Sequence, residues 1–93
     1  MAKRPKRPKR LGKKLLQIRE AMALSQSEIL KRLGFEDSIA YTRISDYELD
    51  KRVPPLPVLL EYARIARVHL EDLVDDQLDL PAKLPSKVRD KSG

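Results

Sequence analysis

The side chains with chemistry to offer in this chain are cations and small polar groups. Its 93 residues hold 20 Lys and Arg, 14 Asp and Glu, one histidine (His69) and no cysteine. Disulfides and thiolate-bound zinc are excluded. No serine, histidine and carboxylate set has the spacing that puts a nucleophile and its base on shared faces. No catalytic residue, metal or cofactor is therefore expected, and His69 reads as an ordinary surface or helix-start residue. What remains is the polar run Tyr41, Thr42, Arg43, Ser45 and Asp46, the pair Lys51-Arg52, and a cationic lead of Lys3, Arg4, Lys6, Arg7, Lys9 and Arg10. A guanidinium can bond the O6 and N7 of a guanine together, and cationic heads neutralise phosphates. The chemistry on offer is recognition of a polyanion.

Charge placement supports that. Residues 1–14 carry eight bases and no acid, residues 15–76 eight bases against twelve acids, and residues 77–93 four against two. An acidic body with a basic arm meets a polyanion locally, through the arm and one face. Lys-Arg-Pro occurs twice in the first ten residues, where Pro5 and Pro8 block a helix and like charges repel, so residues 1–10 are expected to be a disordered basic arm. A solubilising tail or a nuclear-import signal is an alternative use of such a run.

The elements that must position the polar run can be read from periodicity. The apolar set is dominated by Leu, Ile, Val and Ala with few aromatics, which suits helix packed on helix. Leu15, Ile18 and Met22 recur at helical spacing from Leu11 onward, a first helix with one buried face. Ser25-Gln26-Ser27-Glu28 is a capping box that opens a second helix from Gln26 to about Leu33, and Gly34 supplies its left-handed end. Ala40, Ile44 and Tyr47 share one face of a short third helix ending near Glu48, with Thr42, Arg43 and Asp46 on the other. Asp37 and Ser38 are candidate caps for it. Pro57 suits the first turn of a fourth helix carrying Leu59, Leu60, Tyr62 and Ala63 towards Ala66. Leu70, Leu73 and Val74 make a fifth. Residues 11–76 thus form the expected folded unit and residues 77–93 a tail, in which Leu78, Leu80 and Leu84 can pack back. No apolar run is long enough to span a membrane, and no secretory signal is expected, since no apolar stretch follows the basic lead.

Residues 11–74 resemble the Xre or lambda-repressor-like family of helix-turn-helix regulators. The resemblance lies in Ile18-Arg19, Leu24-Ser25-Gln26, Ile29, Gly34, Ile44-Ser45, Glu48, Lys51-Arg52 before Pro54, Ala63 and Leu73, taken in order and at their intervals. It implies an all-α, five-helix DNA-binding fold. Four features depart from the family pattern. Nine residues separate Gly34 from Ile44, about four more than the pattern has; Leu30 stands where a small alanine is usual; Leu49-Asp50 replaces a residue-glycine pair; and Arg67 replaces another glycine. Leu30 would either push the second and third helices apart or fill space made by the longer turn. The added residues either lengthen the third helix from Ser38, which turns Ile39 outward, or form a longer loop with Phe35 and Ile39 packed on the core; the exposed isoleucine favours the loop.

A helix about 10–12 Å across fits a major groove about 12 Å wide, so Tyr41, Thr42, Arg43, Ser45 and Asp46 are the candidate base contacts. Arg43 is the preferred base reader. Thr42 would touch a thymine methyl or a phosphate, and Asp46 would accept from cytosine N4 or orient Arg43. Lys51 and Arg52 are candidate phosphate contacts. The resemblance adds Gln26 as a phosphate contact at the positive end of the second helix, with Ser27 assisting or merely capping. It also implies a structural salt bridge between Arg19 and Glu48. The expected partner is double-stranded DNA, bound as a homodimer on half-sites about 34 Å apart by a cytoplasmic, nucleoid-associated transcriptional regulator, most simply a repressor. The competing function is an antitoxin-like or adaptor module that binds a protein through its last two helices and tail, suggested by Glu71, Asp72, Asp75 and Asp76.

Overall fold

Five helices follow one another in the computed structural model, which describes residues 8–81 and residue 84: α1 (Leu11–Ala21), α2 (Gln26–Leu33), α3 (Thr42–Glu48), α4 (Leu56–Ala66) and α5 (Leu70–Val74). No strand occurs among the described residues. The arm residues Lys3, Arg4, Lys6 and Arg7 and most of the tail lie outside them. Among the described residues no helix is long and apolar enough to cross a membrane.

The helices close around one core. Leu15 and Ile18 of α1, Ile29 of α2, Ile44 of α3, Tyr62 of α4 and Leu73 of α5 are fully buried in it. α1 packs against α3 and α5, α2 against α3 and α4, and α4 against α5. Within α4, Val58, Leu59, Tyr62, Ala63 and Ala66 take the inward sector. Leu60, counted with that set from sequence, is 41% exposed, because a step of about 100° from Leu59 turns it outward. In the tail, Leu80 is buried and Leu84 packs against the core, whereas Leu78 is exposed.

Local chemistry fixes the helix ends. The Ser25 hydroxyl accepts the Glu28 N–H at 3.0 Å while the Glu28 carboxylate accepts the Ser25 N–H at 2.8 Å, closing the capping box that opens α2. α2 stops at Gly34, whose φ of 85° is the left-handed conformation that a side chain opposes. The extended turn is a loop. Phe35 accepts the N–H groups of Ser38 and Ile39, both at 2.9 Å, and Phe35 and Ile39 lie half-buried against the core. Neither Asp37 nor Ser38 caps α3; its N-cap position is Tyr41, without a side-chain cap. Leu30 is buried in the core below the loop.

The two replaced glycines keep the backbone they suggest, since Asp50 has φ 60° and Arg67 φ 57°. At Asp50 the side chain finds a use. Its carboxylate accepts the Gly12 N–H at 3.0 Å, capping the start of α1 from the far end of α3. Gly12 makes that approach possible, because a Cβ there would meet the Glu48 carbonyl at 2.6 Å and the Asp50 carboxyl at 2.8 Å.

Arg10 belongs to the folded body and not to a free arm. Its N–H and that of Lys9 donate to the Asp76 carboxylate at 3.0 and 2.9 Å, and its guanidinium reaches the Asp76 carbonyl at 2.6 Å and the Asp79 carboxylate. Beside it Lys14, almost wholly buried, donates to the carbonyls of Asp72 and Asp75 at 2.7 and 3.0 Å. Its ammonium thereby caps the C-terminal end of α5, where a cation is favoured. Burial holds the Lys14 pKa below its usual value, with the nearby Arg10 charge acting in the same direction.

Candidate nucleic-acid interface

α3 exposes polar side chains because its apolar ones fall on a single sector. Ile44 and Tyr47 are buried and Glu48 turns inward beside them. Steps of about 100° then send Thr42 and Asp46 the opposite way, with Ser45 and Arg43 on either flank. Thr42 and Tyr41 are exposed, while Arg43, Ser45 and Asp46 are half-buried. The five candidate base contacts therefore lie on one end and one side of a single short helix.

Beside that face runs an open groove of about 480 Å³, lined by Arg43, Tyr47, Lys51, Arg52, Val53 and Pro55. Three cationic side chains converge on it. Its backbone is held by the Asp46 carbonyl, which accepts the N–H of Lys51 at 2.8 Å and of Arg52 at 3.3 Å. The Asp46 carboxylate lies 3.5 Å from the Arg52 guanidinium. The return of the chain at Asp50 carries Arg52 back beside α3, so Asp46 has this cation as a neighbour as well as Arg43 three residues before it. The pairing with Arg52 neutralises an acid that would otherwise repel phosphate.

Behind the face, Arg19 and Glu48 form a two-point ion pair, with Nε to Oε2 at 2.6 Å and Nη2 to Oε1 at 3.0 Å. A third guanidinium bond reaches the Leu24 carbonyl at 3.0 Å. The bond to Glu48 raises the Arg19 pKa above its already high value. Gln26 extends the cluster, its side-chain amide donating to Glu48 Oε1 at 3.4 Å. One carboxylate thus ties α1, the start of α2 and the end of α3 together. Ser27 is exposed at the start of α2, next to backbone N–H groups that have no partner within the helix. The Tyr62 hydroxyl is buried without a hydrogen-bond partner, and burial pushes its pKa far up.

Of the acids that suggested a protein-binding surface, Asp72, Asp75 and Asp76 have internal uses, Asp75 accepting the Gln77 N–H at 2.9 Å. Asp72 accepts the His69 N–H at 3.0 Å, opening α5, and Asp76 holds Lys9 and Arg10. Leu49, by contrast, is an outward residue that the polar pattern misses, 62% exposed at the end of α3. Its spacing of seven from Thr42 is the signal that places it.

Comparison with known proteins agrees with this geometry. A helix-turn-helix family model matches residues 15–73, well over half of the chain and the stretch from the middle of α1 into α5. No curated protein and no solved structure matches the chain. With α2 and α3 as the helix pair and the polar face of α3 outward, the chain belongs to the Xre or lambda-repressor-like helix-turn-helix family of DNA-binding regulators.

Proposed function

We propose that the protein is a sequence-specific regulator that lays α3 in the major groove of double-stranded DNA and represses transcription by occupying its operator. The observation that carries this is the outward face of Thr42, Ser45 and Asp46 on a helix whose flank opens into the groove of Arg43, Lys51 and Arg52. In this reading Tyr41, Thr42, Arg43, Ser45 and Asp46 contact bases. Gln26, Ser27, Lys51 and Arg52 contact phosphates, which set position without reading sequence. The cationic lead before Lys9 follows the backbone or enters the adjacent minor groove. Two copies bind half-sites one helical turn apart, about 34 Å, in the cytoplasm at the nucleoid.

Selection of bound duplexes from a random pool at two salt concentrations tests this. A shared near-palindromic sequence is expected, with affinity falling steeply as salt rises. Pools that stay random while binding persists contradict sequence reading; loss of all binding contradicts the interface itself.

A further inference from the structure

One side chain on the outward face of α3 has no polar use. Leu49 follows Thr42 by seven residues, which turns it to within about 20° of the same direction and sets it about 10.5 Å further along the axis. Its N–H still donates to the Ser45 carbonyl at 3.0 Å, so it is held on the helical spiral. The chain leaves that spiral at Asp50, with φ 60°, and the Asp50 side chain turns back to the Gly12 N–H. Leu49 is therefore the last side chain in line with Thr42, and it is 62% exposed.

Leucine neither donates nor accepts a hydrogen bond, so it has nothing to offer a phosphate or the polar edge of a base. The major groove displays one apolar group, the C5-methyl of thymine. We infer that Leu49 is a specificity-determining residue that packs on a thymine methyl. The methyl belongs to a different base pair from the one beneath Thr42, further along the groove. This rests on the assignment of α3 to the major groove. The opposite ends of the helix then read by different means, polar at Tyr41 and Thr42 and apolar at Leu49.

The test uses the full chain and the best duplex selected from a random pool. Each thymine is replaced in turn by deoxyuridine, which deletes the methyl and leaves every hydrogen-bonding group. At one position per half-site the replacement is expected to weaken the wild-type protein about fourfold, the effect of returning one methyl-sized group to water. Leu49→Ala should lose a similar factor on the thymine duplex and no longer distinguish the two bases there, while Leu49→Met keeps the distinction. Because Leu49 is exposed, both variants should melt with the wild type. If wild type and Leu49→Ala show the same thymine-to-deoxyuridine ratio at every position, the inference is overturned while the assignment of α3 stands. A pool that yields no preferred sequence overturns that assignment and the inference with it.

Discussion

Glu48 accepts two hydrogen bonds from Arg19 and one from Gln26, so a single carboxylate at the end of α3 is fastened to the end of α1 and the start of α2. Its side chain is only 5% exposed and that of Arg19 17%. The orientation of α3 relative to α1 and α2 is set at this junction. Removing Arg19 strands a buried carboxylate, so Arg19→Ala should cost about 3–5 kcal/mol. A domain of this size loses roughly 4–8 °C in melting temperature for each kcal/mol. Thermal unfolding followed by circular dichroism measures this, and a loss under about 1 kcal/mol, the usual worth of an exposed pair, would show that the pair is not buried.

Left-handed backbone at residues other than glycine gives the opposite sign. Arg67 closes α4 at φ 57°, ψ 44° and is exposed, so Arg67→Gly relieves strain at the loss of no core contact. A gain of about 0.5–1 kcal/mol is expected, and Gly34→Ala, at φ 85°, should lose about as much. Denaturant titration of the two variants decides it; a loss at both positions would mean that Arg67 makes contacts that outweigh its backbone.

These two sites show what the sequence makes legible. The capping box and Gly34 involve neighbours three or four residues apart, so local pattern finds them, whereas Arg67 stands out only through the resemblance, as a residue in a glycine's place. The loop form of residues 35–40 was legible for a related reason, since only that form buries Ile39. Tertiary caps carry no such signal. Gly12 with Asp50 and Lys14 with Asp72 are separated by 38 and 58 residues, and Lys14 sits in a run of cations that composition assigns to solvent. Arg10 escapes local pattern for the same reason, its partners Asp76 and Asp79 standing 66 and 69 residues away in sequence. On α3 the outward placement of the polar side chains was legible from helical spacing, whereas the outward placement of Leu49 was hidden by its apolar type.

The clamp at Asp76 gives a pH dependence. The N–H groups of Lys9 and then Arg10 hold the Asp76 carboxyl below its ordinary value of 3.8, and the Arg10 guanidinium does the same for Asp79. A carboxyl whose pKa falls on folding stabilises fully above the unfolded value and loses that contribution as pH drops through the folded one. Wild type should therefore be more stable than Asp76→Ala at neutral pH, and the gap should close below about pH 4. Melting temperatures from pH 7 to pH 2.5 test this, and a gap that stays constant on acidification contradicts it.

Phosphate contacts have a separate signature. Lys51 lines the groove beside α3, and its loss should weaken all duplexes alike. For Lys51→Ala, the slope of log affinity against log salt should become shallower by about 0.9, the release of one counterion. An unchanged slope would remove Lys51 from the interface.

The most direct measurement compares wild type and Arg43→Ala on the selected duplex, on single-base variants of it, and on random competitor DNA at physiological ionic strength. If α3 reads bases, Arg43→Ala relaxes preference at one position per half-site by a factor of at least about five, from the roughly 1–3 kcal/mol that a two-point contact to guanine discriminates. Its affinity for random DNA should change far less. Equal losses on selected and random duplexes would contradict base reading by Arg43 and leave it as one more cation on the phosphates.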